Sequence, residues 1–167
     1  MGATAAVSFI FNLSSAAEKQ TGNTGWLACC DVLIQDREIT HPDVALLLRR
    51  AEEELLELYP DMPPLPVNPL ARFVVAYVMG RPVGCGGLVP VEDGTVEITR
   101  MFVLAGHRRT GVARRILAGL IRRASDGHSR MVIVETGTKQ DAAIALFEGS
   151  GFERTEPYGK YVFVRRL

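Results

Sequence analysis

The sequence predicts a mixed α/β domain in which a central sheet is flanked by helices. Two observations lead to this fold class. A strand segment and a helical segment precede three consecutive strand segments joined by short turns, and helix and strand segments then alternate to the end of the chain. This order is typical of a sheet with both antiparallel and parallel pairs. The 167 residues suffice for one domain with a sizeable core.

Recognisable start and stop signals bound the predicted elements. Pro42 followed by Asp43 is typical of a helix start, and Tyr59-Pro60 is typical of a helix end. The segment 61–69 contains four prolines and is predicted to be an extended loop. The predicted strands are 30–35, 73–79, 82–91, 95–104, 131–135 and 161–165, and the predicted helices are 44–58, 111–124 and 141–149.

Three of the predicted strands follow one another closely enough to form an antiparallel meander. Gly80-Arg81 and the segment 92–94 supply the tight turns between them. Glycines at positions 84, 86 and 87 are expected to weaken the middle strand. The later strand 131–135 is a continuous apolar run, which predicts burial on both faces.

Composition excludes several classes of function. Lys plus Arg and Asp plus Glu each number 19, and this balance argues against non-specific nucleic-acid binding. The three cysteines form neither a disulfide framework nor a metal-ligand spacing, so free thiols in a reducing cytoplasm are expected. No apolar run approaches the length of a membrane span. Residues 1–28 are expected to be a flexible extension, and 29–167 the folded domain.

The segment 97–117 carries the most specific signal for a binding site. A strand ends near Val103, a loop containing Gly106 follows, and a helix begins near Gly111. Main-chain N–H groups at a helix start can donate to an anion, and the helix dipole favours negative charge there. The small residues Gly111 and Ala113 let a phosphate approach closely, and neighbouring arginines add charge that suits it. The predicted pyrophosphate site comprises Arg108, Arg109, Thr110, Gly111, Val112, Ala113 and Arg114.

Two motifs resemble those of a known family. Arg108-x-x-Gly111-x-Ala113 is similar to the acetyl-CoA motif of the GNAT family of N-acetyltransferases, which reads Gln or Arg, x, x, Gly, x, Gly or Ala. The segment 143–152 resembles the family's second motif, and 135–137 with Gln140 resembles a bacterial subgroup. The resemblance covers roughly residues 30–167 and is specific for the family but not for a substrate.

This resemblance implies a GNAT-like sheet and a cosubstrate, acetyl-CoA, with no metal. The strands 95–104 and 131–135 would lie parallel and splay apart, and the pantetheine arm would enter the gap and pair with the main chain of Met101, Phe102 and Val103. Gln140 and Phe147 would lie near the cofactor. The acetyl group would pass directly to a primary amine of a small molecule or a peptide.

Direct transfer requires a neutral amine, so a base or a water chain must remove its proton. Glu97 is the first candidate base, because period-two counting places it on the same face as Met101 and Val103. Its alternative role is that of a glutamate on the sheet surface paired with Arg100 or another arginine. Glu135, at a strand end, is the second candidate.

The proton for the leaving thiolate has no obvious source. Many relatives carry at position 147 a tyrosine that is assigned as the acid, whereas this chain has Phe147, which cannot donate a proton. Either the thiolate leaves unassisted, or Tyr158 or Tyr161 replaces that tyrosine, and Tyr158 is the candidate acid. The alternative for both tyrosines is packing. The segment 59–70 is expected to line the acceptor side.

Two other functions remain open from the sequence. The chain could be a non-catalytic acyl-CoA-binding or regulatory module of the same fold. It could also be a nucleotide-binding protein that uses the same helix start, although the Gly-Lys-Ser/Thr phosphate loop is missing. A homodimer through an exposed edge strand near the C-terminus is a further expectation.

Overall fold

The computed structural model describes residues 32–61, 63, 66–92, 94–155 and 161–167. The strands are β1 (Leu33–Arg37), β2 (Arg72–Val78), β3 (Arg81–Glu92), β4 (Thr95–Val103), β5 (Met131–Thr136), β6 (Glu153–Thr155) and β7 (Tyr161–Arg166). The helices are α1 (Pro42–Leu58), α2 (Val112–Asp126) and α3 (Asp141–Glu148), and a short 3-10 helix spans Ala105–His107. The predicted extension 1–28 and Tyr158 lie outside the described residues.

The seven strands form one sheet in the order β1-β2-β3-β4-β5-β7-β6. Only β4 and β5 pair in parallel, and the other described pairs are antiparallel. The mixed α/β fold, the meander and the parallel pair are therefore confirmed. The first strand was predicted too early, and β6 and the 3-10 helix were not predicted, because three-residue elements leave no periodic signal.

The helices cover the two faces of the sheet and create two cores. On one face α1 packs Val44, Leu47, Ala51 and Leu55 against β2 and β3. On the other face lie α2 and α3, whose buried residues include Ile116, Leu120 and Phe147. The apolar stripe predicted for α2 is therefore the face of this helix that is buried against the sheet. Among the described residues, no helix is both long enough and apolar enough to cross a membrane.

The glycines of β3 serve packing rather than weakening the strand, which is continuous over 12 residues. A Cβ on Gly84 would lie 2.7 Å from the carbonyl oxygen of Phe102, and one on Gly86 would lie 2.9 Å from Cδ1 of Leu120. The missing side chains therefore let α2 lie close to the middle of the sheet.

The prediction that β5 is buried on both faces was also wrong. Val132 and Val134 are buried, whereas the residues that alternate with them are partly exposed.

Candidate active site

β4 and β5 separate in the middle of the sheet. Their parallel pairing begins at Thr95↔Met131 and ends at Ile98↔Val134. Both strands continue beyond this point, β4 to Val103 and β5 to Thr136. The unpaired ends leave a gap that opens at the carboxyl edge of both strands, where ligand sites of mixed and parallel sheets are found.

A bulge in β4 accompanies this separation. The partners of β4 on β3 step from Gly87↔Thr99 to Cys85↔Phe102, so β4 has one extra residue. Arg100 lies in this bulge and has a φ of 53°, in the left-handed region. An extra residue bends a strand and reverses which face its later side chains occupy.

The bulge makes the predicted face of Glu97 wrong. Ile98, Met101 and Val103 all pack in the core beneath α2 and α3. Because Glu97 precedes Ile98 in regular strand, its side chain lies on the opposite face, towards α1. Period-two counting failed because it assumed an uninterrupted strand. Glu97 is 8% exposed, so its carboxylate is largely shielded from water.

The main chain of Val103 faces the gap. The N–H of the next residue, Leu104, donates to the carbonyl oxygen of Val83 on β3 at 2.9 Å. The main-chain N–H and carbonyl of one strand residue point to one neighbouring strand, and those of the next residue point to the other side. The N–H and carbonyl of Val103 therefore point away from β3. They are thus directed to the side where β5 has departed.

The start of α2 has the properties predicted for an anion site. Gly111 precedes the helix with a φ of 88°, and no side chain among the described residues caps it. The first helical hydrogen bond at this end runs from the N–H of Arg115 to the carbonyl of Gly111 at 3.1 Å. The N–H groups of Val112, Ala113 and Arg114 therefore have no acceptor within the helix. The Thr110 hydroxyl does not cap the helix, because it donates to the carbonyl of His107 at 2.7 Å.

A cleft of about 330 Å³ lies beside this helix start, between the end of β4 and α3. Six of the predicted cofactor residues line it: Val103, Arg108, Arg109, Gly111, Ala113 and Arg114. Sequence reasoning missed the opposite wall, which is formed by Ala142, Ala145 and Leu146 of α3. The signal was available, since these residues recur on the helix side that the core residues Ala143 and Phe147 leave free.

Other predicted cofactor residues are buried and do not line the cleft. Met101, Phe102, Gln140 and Phe147 have no exposed surface. Phe147 packs against Phe152 and Phe163, with ring centroids 5.5 and 5.6 Å away. Thr110 and Val112 are also not among the residues that line the cleft.

Gln140 shapes the loop between β5 and α3. Its Oε1 accepts hydrogen bonds from Oγ1 of Thr136 at 2.5 Å and from the N–H of Gly137 at 3.3 Å. Its Nε2 has no hydrogen-bond partner within the described part of the chain. A buried donor without an acceptor is costly, and such atoms in native proteins frequently meet a ligand or a water.

Arg108 turns inward instead of towards the helix start. Its Nε donates to the carbonyl oxygen of Val103 at 2.9 Å, and its Nη2 lies 2.5 Å from Oε2 of Glu54 on α1. The side chain of Arg108 is 10% exposed and that of Glu54 is 27% exposed. Arg108 lines the cleft, but its guanidinium is engaged by protein oxygens.

The face of the gap towards α1 carries polar residues. Arg100 is 5% exposed, and its Nη2 donates to the carbonyl of Pro66 in the loop that follows α1. Burial lowers the pKa of Arg100, and the neighbouring Glu52 acts in the opposite direction. The Tyr59 hydroxyl accepts from the N–H of Lys139 at 3.2 Å, which joins the end of α1 to the loop after β5. The predicted acceptor-side segment 59–70 thus contacts β4 and the loop that follows β5.

The remaining candidates are only partly described. Glu135 lies near the end of β5 in register with Val162 of β7 and is partly exposed. Tyr158 and the side chain of Tyr161 fall outside the described residues. No group of His, Cys, Asp and Glu side chains suited to a metal occurs in the described ranges.

Sequence comparison gives a family match over most of the chain. A sequence model of the acetyltransferase (GNAT) family matches residues 31–152. A protein from Azospirillum brasilense named IAA acetyltransferase is 33% identical over 126 residues, which are 71% of this chain and 82% of that protein. Human N-acetyltransferase 8 is 35% identical over 88 residues, which are 50% of this chain and 39% of the human protein.

Solved structures share the fold. A Klebsiella pneumoniae protein assigned as an acyl-CoA N-acyltransferase superposes with a TM-score of 0.68 and 25% identity, over 81% of this chain and 97% of that one. A GNAT family acetyltransferase from Elizabethkingia anophelis, solved with acetyl-CoA bound, superposes with a TM-score of 0.63 and 18% identity, over 81% and 98% of the two chains. The second likeness bears on the fold alone.

Proposed function

Because the chain belongs to the acetyltransferase (GNAT) family and is an acyltransferase, we propose that it transfers the acetyl group of acetyl-CoA to a primary amine by direct attack. The observation that carries the proposal is the start of α2, where uncapped N–H groups face a cleft. A Cβ built on Gly111 meets no atom within 4 Å, so the space beside this main chain is open to a phosphate.

The described residues fit acetyl-CoA along two stretches of the site. The N–H groups of Val112, Ala113 and Arg114 would hold the diphosphate, with the side chains of Arg109 and Arg114 as additional charge. The main chain of Val103, directed into the gap, would pair with the amide groups of the pantetheine arm. We assign the unpaired Nε2 of Gln140 to this arm as well.

The chemistry requires removal of a proton from the amine and stabilisation of the charge that develops on the thioester oxygen. We propose that Glu97 accepts the amine proton, directly or through water, because its buried carboxylate lies on the α1 face of β4. A main-chain N–H near Val103 would donate to the thioester oxygen. Phe147 does not supply the proton for the thiolate, because its side chain has no proton to donate.

The proposal is tested by following release of free thiol from acetyl-CoA with a panel of primary amines, in the wild type and in Glu97→Gln. General-base catalysis contributes typically about 100- to 10,000-fold, so we expect kcat to fall at least about 100-fold while the Kd for CoA stays the same. Full turnover in Glu97→Gln would remove the assignment of the base. No binding of CoA to the wild type would remove the proposed function.

A further inference from the structure

We infer that Arg108 is a positioning residue that acts through the main chain of Val103, and is not a ligand of the cofactor phosphates. The inference rests on the proposed function and assigns one residue a part in it. The family motif begins at Arg108, and its charge beside a helix start suggested contact with phosphate. The observed contacts point elsewhere.

Arg108 joins three parts of the molecule. Its guanidinium bonds to the carbonyl of Val103 at the end of β4 and to Glu54 on α1, and it lies 5.8 Å from the ring centroid of Phe102. Its own main chain precedes the helix start at Gly111. The side chain of Arg108 therefore connects the loop that would hold the diphosphate to the end of β4 and to α1 on the acceptor side.

These bonds are stronger than ordinary surface contacts. Both involve a charged donor, and the side chain is 10% exposed, so water competes weakly for it. The fork of the guanidinium also fixes direction, because Nε and Nη2 point to different acceptors at the same time. A side chain held in this way is not available to follow a phosphate.

The consequence concerns Val103. Its carbonyl and N–H project into the gap on the side where β5 has departed, so only β3 pairs with this end of β4. The bond from Arg108 fixes the carbonyl, and because Val103 is extended, its N–H points to the same side and is held with it. That N–H is the group that would meet the pantetheine arm. Arg108 thus prepares the section of the site that binds the arm, and Glu54 holds Arg108.

The experiment compares two ligands, CoA and pantetheine, where pantetheine has the arm but neither phosphates nor adenosine. Affinities are measured by calorimetry for CoA and by ligand-observed NMR for pantetheine, which reads weak binding. We expect Arg108→Gln to weaken both ligands by the same factor, about tenfold for the loss of a charge-assisted hydrogen bond. Arg114→Gln, which lines the same cleft, should weaken CoA and leave pantetheine unchanged.

Two neighbouring glutamates provide the matched controls on α1. Glu54→Gln should weaken both ligands, and its effect should not add to that of Arg108→Gln, because the two residues act as a unit. Glu53→Gln should change neither, because its carboxylate pairs with Arg49 and Arg50 on the exposed side of the helix. Arg108→Lys should keep more thermal stability than Arg108→Gln but should bind pantetheine no better. One ammonium cannot bond at the same time to the carbonyl oxygen of Val103 and to the carboxylate of Glu54.

Several results would overturn the inference. They are a loss of CoA affinity in Arg108→Gln with unchanged pantetheine affinity, additive effects of the Glu54 and Arg108 substitutions, or recovery of both properties by Arg108→Lys. If Arg108→Gln does not fold, the test is made with Glu54→Gln. Unchanged affinity of Glu54→Gln for both CoA and pantetheine then overturns the inference. Failure of the wild type to bind CoA is a separate result that would refute the proposed function itself.

Discussion

Replacing Gly111 by glutamate is the sharpest test of where the diphosphate binds. Gly111 has a φ of 88° and open space around the position of a Cβ. A new side chain would therefore enter the cleft without a clash, and its backbone cost would be that of any L-residue in the left-handed region, about 1–2 kcal/mol. The carboxylate would add a second, electrostatic cost, but only when phosphate is bound.

The electrostatic cost can be estimated from distance. Two unit charges 4–6 Å apart repel by about 3–4 kcal/mol at an effective dielectric constant of about 20. Screening by salt reduces this to about 2–3 kcal/mol. We therefore expect CoA to bind Gly111→Glu about 30- to 150-fold more weakly than it binds Gly111→Gln. The glutamine variant carries the same strain and nearly the same volume, so the difference isolates the charge.

The assay is calorimetric titration of both variants with CoA at low and at high salt, together with thermal unfolding. Both variants should lose the same few degrees in Tm, at roughly 2–4 °C per kcal/mol for a chain of this size. The gap in affinity between them should narrow as salt rises. Equal affinities for CoA in Gly111→Glu and Gly111→Gln would refute the placement of the diphosphate at this helix start.

Three further outcomes are expected. Phe147→Tyr should lower the free energy of unfolding by about 1–3 kcal/mol, because a hydroxyl enters a fully apolar cluster, and it should not raise kcat for thiol release; a gain in turnover would contradict the burial argument. Asp36→Asn should lower Tm slightly at pH 7, because hydrogen bonds from Arg123 hold the pKa of Asp36 below 3.8. The stability that this ion pair adds is fully present above pH 3.8 and is lost as pH falls through the lowered pKa, so the difference in Tm between the two proteins should shrink as pH falls below 3.8; a difference in Tm that stays constant would contradict the prediction. Burial raises the pKa of the Cys85 thiol to about 12, so iodoacetamide at pH 8 should label this residue only after unfolding; peptide mass spectrometry separates it from Cys29 and Cys30, and labelling of Cys85 in the folded protein would contradict the prediction.

The order of helices and strands could be predicted because its signals are local. Pro42 begins α1, as the sequence indicated, and the apolar stripe from Val112 to Ala124 fixes the inner face of α2. The signal for the uncapped start of α2 was equally local, since a glycine next to a helix start is visible in the chain itself. Bounds shifted by one to three residues, which is the usual uncertainty at element ends.

What could not be predicted depends on residues distant in sequence. The alternation in the segment 95–104 gives no sign that Arg100 is an extra residue, because that depends on the partners β3 provides. The orientation of Arg108 depends on Glu54, which is 54 positions away in the chain. The burial of Gln140 and Phe147 depends likewise on how α3 packs on the sheet, so a motif match identified their place in the chain but not their exposure.

The bulge at Arg100 also has a consequence for comparative alignment. A gap of one position placed after Val103 instead of at Arg100 would assign Met101, Phe102 and Val103 to the wrong sides of the sheet, although the aligned letters would look equally plausible. An insertion or deletion of one residue anywhere in this strand other than at Arg100 would turn the side chains between that point and the bulge to the opposite face of the sheet. The position of the extra residue must therefore be kept when the strand is aligned or transplanted.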